Sequence, residues 1–184
     1  AVLSGATIVI LSIALGIYLD RAAGWPPSWL WSRLALLAVG GCFLSILAPV
    51  FYSARYAGYQ TTDHFNLKHL GQAHLLYATE NQDRLPPGPV WRTATSPYVI
   101  EEVTSCPRAR TKSSYAMNQA CSALSLNDIV NANTVLLFEI DSNLPNPVGG
   151  ANDVTPRHEH RPAFYCLDGH VIRNRPTTVR WNPK

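Results

Sequence analysis

The chain has 184 residues, 47% of them apolar and 15% charged, where a soluble domain usually carries about 25% charged residues. The deficit is local: no charged residue stands between Ala1 and Leu19 or between Leu34 and Ala54. Each run is long enough to cross a hydrocarbon core of about 30 Å as a helix rising about 1.5 Å per residue, which excludes an ordinary soluble globular protein. A signal peptide fits the first run poorly, because no basic residue opens it. Net charge is +3, and the stretch Arg157–Lys184 holds six basic and two acidic residues. So mild a surplus, without a dense basic stripe or a recognisable module, argues against a nucleic-acid partner. It fits a solvated surface, lipid headgroups or an acidic partner.

In chain order, residues 1–19 predict a first transmembrane helix. Residues 20–33 read as an interfacial turn, because Trp25, Trp29 and Trp31 cluster beside Pro26 and Pro27, and Trp favours the membrane–water boundary. Residues 34–54 predict a second transmembrane helix. Small residues four apart (Ala1 and Gly5, Ser12 and Gly16, Gly41 and Ser45) mark faces suited to close helix packing in lipid. Cys42 is expected to pack there as a small residue. Neither run contains a histidine or an ionisable group, which argues against an ion path and against a His-ligated haem or pigment within the spans.

Residues 55–184 form the extramembrane part. The second helix is expected to continue into it, with Pro49 as a possible kink. Phe65, Leu67, Leu70, Ala73, His74, Tyr77 and Ala78 keep a broad apolar stripe at helical spacing. The helix should end near Asn81, and by Leu85 at the latest, because Pro86, Pro87 and Pro89 cannot continue it. His64, His69 and His74 advance by five and wind round the helix, so they form no ligand ladder.

Beyond the prolines, Thr134–Ile140 is apolar and β-branched enough for a buried strand. Ala163–Leu167 and His170–Arg173 flank Asp168-Gly169, which predicts a hairpin on a tight type I′ turn. Residues 141–157 between these strands read as a loop. Glu139, Asp141, Asn143 and Asp153 offer oxygens suited to calcium, without EF-hand spacing. His158, His160, Asp168 and His170 offer imidazole and carboxylate suited to a transition metal, set against a plain hydrogen-bonding role for His158. No C-x-x-C, G-x-S-x-G or phosphate loop occurs, so no catalytic residue is assigned and no cofactor is expected.

Several stretches, in order, resemble the bacterial prepilin-like proteins that carry an H-x(9)-DG signature. His158 is followed by nine residues and then Asp168-Gly169, continuing as His170-Val171. Asn66–Pro87, Ser105-Cys106-Pro107, Ser114–Asn118 and Leu47–Phe51 with Ala54-Arg55 fit the family's upstream segments. The resemblance covers about three quarters of the chain. It implies an α+β, pilin-like fold: a long helix packed on a small antiparallel sheet, with the C-terminal domain periplasmic on a bacterial inner membrane. In an external domain Cys106 and Cys121 are expected to form a disulfide, leaving Cys166 over. His158, Asp168 and Gly169 then serve as a structural signature.

Prepilins begin with a basic leader, a cleavage site and a Glu early in the mature helix. Before Leu34 this chain has a further apolar helix and the Trp-rich turn instead, which hinders extraction into a filament. The expected function is a non-enzymatic accessory subunit, packed by its two helices and its domain against a larger integral-membrane complex in the lipid bilayer. The alternatives are a pseudopilin-like part of a secretion or pilus system and a metal-dependent protein using the His158/Asp168 region.

Overall fold

The computed structural model describes residues 5–24, 27–99, 103, 105–106, 111–157 and 161–184, with the side chains of 5–9, 11, 12, 20, 27–32 and 35 excepted. The chain is α+β and divides into two compact units, residues 1–56 and 57–184.

In the first unit, helix α1 spans Gly5–Ala23, and helix α2 begins at Pro27 and runs to Glu80. The Trp-rich connection expected over 20–33 is therefore largely helical. Gly24, at φ +68°, takes the left-handed conformation that ends helices, and Pro27 suits a first helical position. Trp29 and Trp31 lie in the first turns of α2, while Trp25 falls outside the described residues. The helix continues unbroken through Pro49 and through Tyr52–Phe65.

The second unit is built on the last third of α2. Its buried face carries Asp63, Leu67, Leu70, Ala73, His74 and Ala78, a helical series of three- and four-residue steps. Phe65 falls off that stripe: it is exposed and stacks on His69, with ring centroids 4.2 Å apart. After Glu80 the Ala78 carbonyl accepts from the N–H groups of Asn81 and Asp83, and Gln82 and Asp83 turn the chain at positive φ. The prolines follow in an extended segment that leads to α3, Trp91–Thr95.

Strands β1 (Ser113–Asn118), β2 (Val135–Ser142), β3 (Val148–Gly149), β4 (Ala163–Cys166) and β5 (Val171–Arg173) form one sheet in the order β3-β1-β2-β4-β5. Four strands alternate antiparallel, but β3 runs parallel to β1. The sheet is mixed where an antiparallel one was expected. The difference arises because residues 143–147 return the chain across the end of β1, where the Met117 N–H donates to the Pro147 carbonyl.

One sheet face meets α2. Tyr115, Met117, Leu137, Ala163 and Tyr165 pack with Leu67, Leu70, Ala78, Leu85 and Trp91. Trp91 donates its indole N–H to the Pro147 carbonyl at 2.9 Å and lies 5.2 Å from the His74 ring. The other face, with Ala116, Val135, Phe138 and Phe164, is covered by Val154, Ile172, Val179 and Trp181. The basic C-terminal stretch is thus partly a core element. Trp181 sits edge-on to Phe138 and Phe164, and Asn118 holds its carbonyl at 2.9 Å.

The contact between α2 and the sheet is tightest at Gly71. A Cβ there would lie 2.2 Å from the Tyr165 ring, so only glycine allows the approach. Gly71→Ala is expected to lower stability by about 1–3 kcal/mol through overpacking, against its favourable helix propensity. Gly58→Ala, with nothing within 4 Å of the added atom, should raise stability by about 0.5–1 kcal/mol. Urea midpoints followed by Trp fluorescence check both.

His74 is fully buried, with Nδ1 2.7 Å from the Leu70 carbonyl. Burial pulls its pKa down from 6.5 to about 4, against the backbone hydrogen bond. The unfolded state therefore binds the proton first as pH falls. The stabilisation is complete above about pH 6.5 and is lost progressively towards pH 4, by about 3 kcal/mol in all. His74→Phe should flatten this acid limb in urea titrations taken across the range.

Candidate functional site

Three features are candidates for function, and each is described within its own unit. The first is the surface of α2 in residues 1–56. Leu36, Val39, Phe43, Leu44, Ile46 and Phe51 are all exposed, and the stretch contains no charge. Among the described residues one helix, Leu36–Glu80, is long and apolar enough to cross a membrane by length and composition. In α1, Ile10, Leu15 and Leu19 are likewise exposed.

Of the small residues expected to pack helices, Gly16, Gly41, Cys42 and Ser45 are among the described residues. A Cβ on Gly16 would meet nothing within 4 Å. The Ser45 hydroxyl turns back to donate to the Cys42 carbonyl of its own helix at 2.7 Å. Cys42 itself is exposed, Gly41 is half-buried, and the side chains of Gly5 and Ser12 lie outside the described residues.

The second feature is a buried ionic network between α2 and the sheet. Asp63 on α2 and Glu139 on β2 are both fully buried, and the neighbouring Asp63 helps to raise the Glu139 pKa. Tyr115 on β1 donates its hydroxyl to Asp63 Oδ1 at 2.7 Å. Arg173 on β5 lies 3.6 Å from Asp63 Oδ2 and 3.9 Å from Glu139 Oε1, and donates to the Gln60 carbonyl of α2 at 2.8 Å. Arg157 lies 4.0 Å from Glu139 Oε2 and 3.8 Å from Asp141 Oδ1. It also donates to the carbonyls of Ser114 and Ile140.

Burial raises the Glu139 pKa first, the Asp63 contact raises it further, and the Ala163 N–H and Arg157 oppose the shift. The Tyr115 hydroxyl is held far above its ordinary range by burial and by Asp63. Like charges in one buried site raise one another's pKa, and the neighbouring Arg157 works against that shift at Glu139.

This network dissolves the expected calcium set. Glu139 accepts from Ala163 at 3.0 Å inside the core, Asp141 faces Arg157, and Asp153 caps the Gly150 N–H at 2.9 Å. Asn143 is exposed. The oxygens are spent on different partners. Sequence reasoning missed Asp63, although stepping back four residues from Leu67 along the buried stripe places it on the core face. It also missed that Glu139, inside an apolar run, must be buried.

The third feature is the β4–β5 hairpin. Asp168-Gly169 does make the turn, but not as type I′, because only Gly169 has positive φ, at +90°. The Gly169 N–H closes a four-residue turn on the Cys166 carbonyl at 2.9 Å. Gly169 then forms the left-handed residue of a three-residue loop. The Asp168 carboxylate pairs with His170 Nδ1 and accepts from the His170 backbone N–H. Asp168 and His170 are thus together, as expected, and Cys166 joins them. His158, Glu159 and His160 lie outside the described residues.

Cys106 and Cys121 stand as thiols, not as the expected disulfide, both buried in the cluster beneath α2. The Cys121 sulfur is directed at the Val135 carbonyl, 3.6 Å away, and burial pushes its pKa up to about 12.

No protein-family model, curated protein or solved structure matches the chain.

The buried carboxyl pair has a pH signature. Glu139 keeps its proton to higher pH folded than unfolded, so the native state binds more protons between about 4.5 and about 9. Stability from this group is complete below the lower value and declines as pH rises through the upper one. Glu139→Gln keeps an acceptor for Ala163 and removes the titration. Urea midpoints from about pH 7 to about pH 9, above the range in which His74 titrates, should fall in the parent chain and stay nearly level in the variant.

Proposed function

We propose that this chain is a membrane-anchored, non-enzymatic accessory subunit. In this reading α1 and the first half of α2 are two transmembrane helices in a bacterial inner membrane. Residues 57–184 form a periplasmic, pilin-like domain, and the whole packs against a larger integral-membrane protein complex. The observation that carries the reading is the exposed, uncharged surface of α2 over Leu36–Tyr52. An apolar face of that length is unfavourable in water and favourable in lipid or against another helix.

Two further observations support it. The open space at Gly16 leaves a small-residue face free for a helix from another chain. In residues 57–184 the buried carboxyl pair is tied up by the Arg173, Arg157 and Tyr115 side chains of the fold itself, which is how a structural network differs from an open catalytic site.

Extraction in mild detergent under native conditions, followed by identification of what co-purifies, tests the proposal. The expected result is a stable complex of integral-membrane proteins. Recovery with pilus or secretion components instead selects the pseudopilin-like alternative, and recovery of the chain alone sinks the subunit reading. Anchoring has its own test. Leu44→Arg, which places a charge amid the exposed apolar surface, should weaken membrane insertion by about 2.5–3.5 kcal/mol, read as protein released by alkaline carbonate.

A further inference from the structure

We propose that the tip of the β4–β5 hairpin is a binding site for one zinc-class transition metal ion, held by Cys166, Asp168 and His170. Their ligand atoms all lie within 4.8 Å of one another. The register explains why they meet. Cys166 ends β4, and its N–H donates to the His170 carbonyl at 2.9 Å, so the two residues close the hairpin as a cross-strand pair. Phe164 opposes Ile172 one step further along, and both belong to the cluster on the sheet face away from α2. By the two-residue pleat, Cys166 and His170 lie on that same face. Asp168 sits between them in the turn.

The donors are held in place before any ion arrives. Cys166 is paired with Val135 of β2 on one side and with His170 on the other. The turn is pinned by Leu167 N–H to the Thr134 carbonyl and by Asp168 N–H to the Ala132 carbonyl, at 2.9 and 2.8 Å. The Asp168–His170 contact shows two of the donors already converging. A tetrahedral zinc separates a sulfur and a nitrogen ligand by about 3.5 Å. The remaining closure is available to the Asp168 and His170 side chains, which are 34% and 45% exposed.

The donor set selects the metal. One thiolate, one imidazole and one carboxylate suit zinc or cobalt, whereas calcium and magnesium require oxygen ligands throughout. Thiolate and carboxylate together balance a divalent charge, so the occupied site is neutral at the edge of the core. Zinc and cobalt take the Cys166 sulfur as a thiolate, so binding releases the thiol proton. Three protein ligands leave a fourth position facing water.

The test uses the full chain in mild detergent, stripped with a chelator and titrated with cobalt(II) as a spectroscopic probe. The expected result is one equivalent bound per chain, with the near-ultraviolet thiolate-to-cobalt band and the visible bands of a tetrahedral site, bleached by added zinc. Cys166→Ser should abolish the thiolate band. His170→Ala and Asp168→Asn, at exposed positions whose far-UV circular dichroism should match the parent, should each weaken binding at least about tenfold. They keep the test decisive if Cys166→Ser does not fold. Absence of the band in the parent chain overturns the proposal. So does a band of unchanged affinity in His170→Ala, which would place the metal on another thiol.

Discussion

A pair of buried carboxyl groups ties the helix of the C-terminal unit to its sheet. Asp63 and Glu139 stand on different elements, α2 and β2, and neither reaches water. Separated, each would be an uncompensated buried acid, which is strongly destabilising. Held together, they accept from Tyr115 on β1 and draw in Arg173 on β5 and Arg157 beyond β3. The helix can therefore meet the sheet in one register only. A purely apolar contact would tolerate sliding by a turn; a buried carboxyl pair tied to Tyr115, Arg173 and Arg157 does not.

The apolar contacts follow from that register. With Asp63 opposite Glu139, Gly71 comes two turns later beneath Tyr165, where the absence of a side chain lets helix and ring touch. Three residues further, His74 reaches Trp91, which brings the proline-rich segment down over the end of the sheet. The same helix carries two kinds of surface. Over Leu36–Tyr52 its large apolar side chains are exposed, while from Asp63 onward one face is buried and the exposed face mixes polar residues with Phe65 and Leu76. The two stretches of α2 thus differ, the first offering an apolar surface and the second organising a folded unit.

Much of this was legible from the residues. The absence of charge between Leu34 and Ala54, the helical stripe from Leu67 to Ala78 and the proline cluster located the body of α2 and its end to within a residue or two, while its start lies at Pro27 and not near Leu34. Thr134–Ile140 and the residues around Asp168-Gly169 identified β2 and the hairpin. The turn type was not legible, because Asp-Gly serves a two-residue loop and a three-residue loop equally well, and the choice depends on which residues of β4 and β5 pair. Cys166 was not legible as a neighbour of His170 for the same reason. The paired positions of a hairpin are set by the loop, not by the spacing in the chain. The ionic network was only half visible: Glu139 inside an apolar run and Asp63 on the stripe each signal burial, but nothing local says that they meet.

The amino-acid sequence by itself determined the quantities that depend on neighbours along the chain: where the long helix stops, which strand is apolar on both faces, and which segment is uncharged long enough to span lipid. These follow from backbone propensity and side-chain period, which act over a few residues. Tertiary structure alone decided the rest. It set β3 parallel to β1, the C-terminal Trp181 over the far face of the sheet, Cys106 and Cys121 as buried thiols, and Glu139 against Asp63 rather than beside Asp141 and Asp153. Each of those outcomes joins residues more than a dozen positions apart, and such contacts are chosen by how the whole core can be filled while most buried polar groups find a partner.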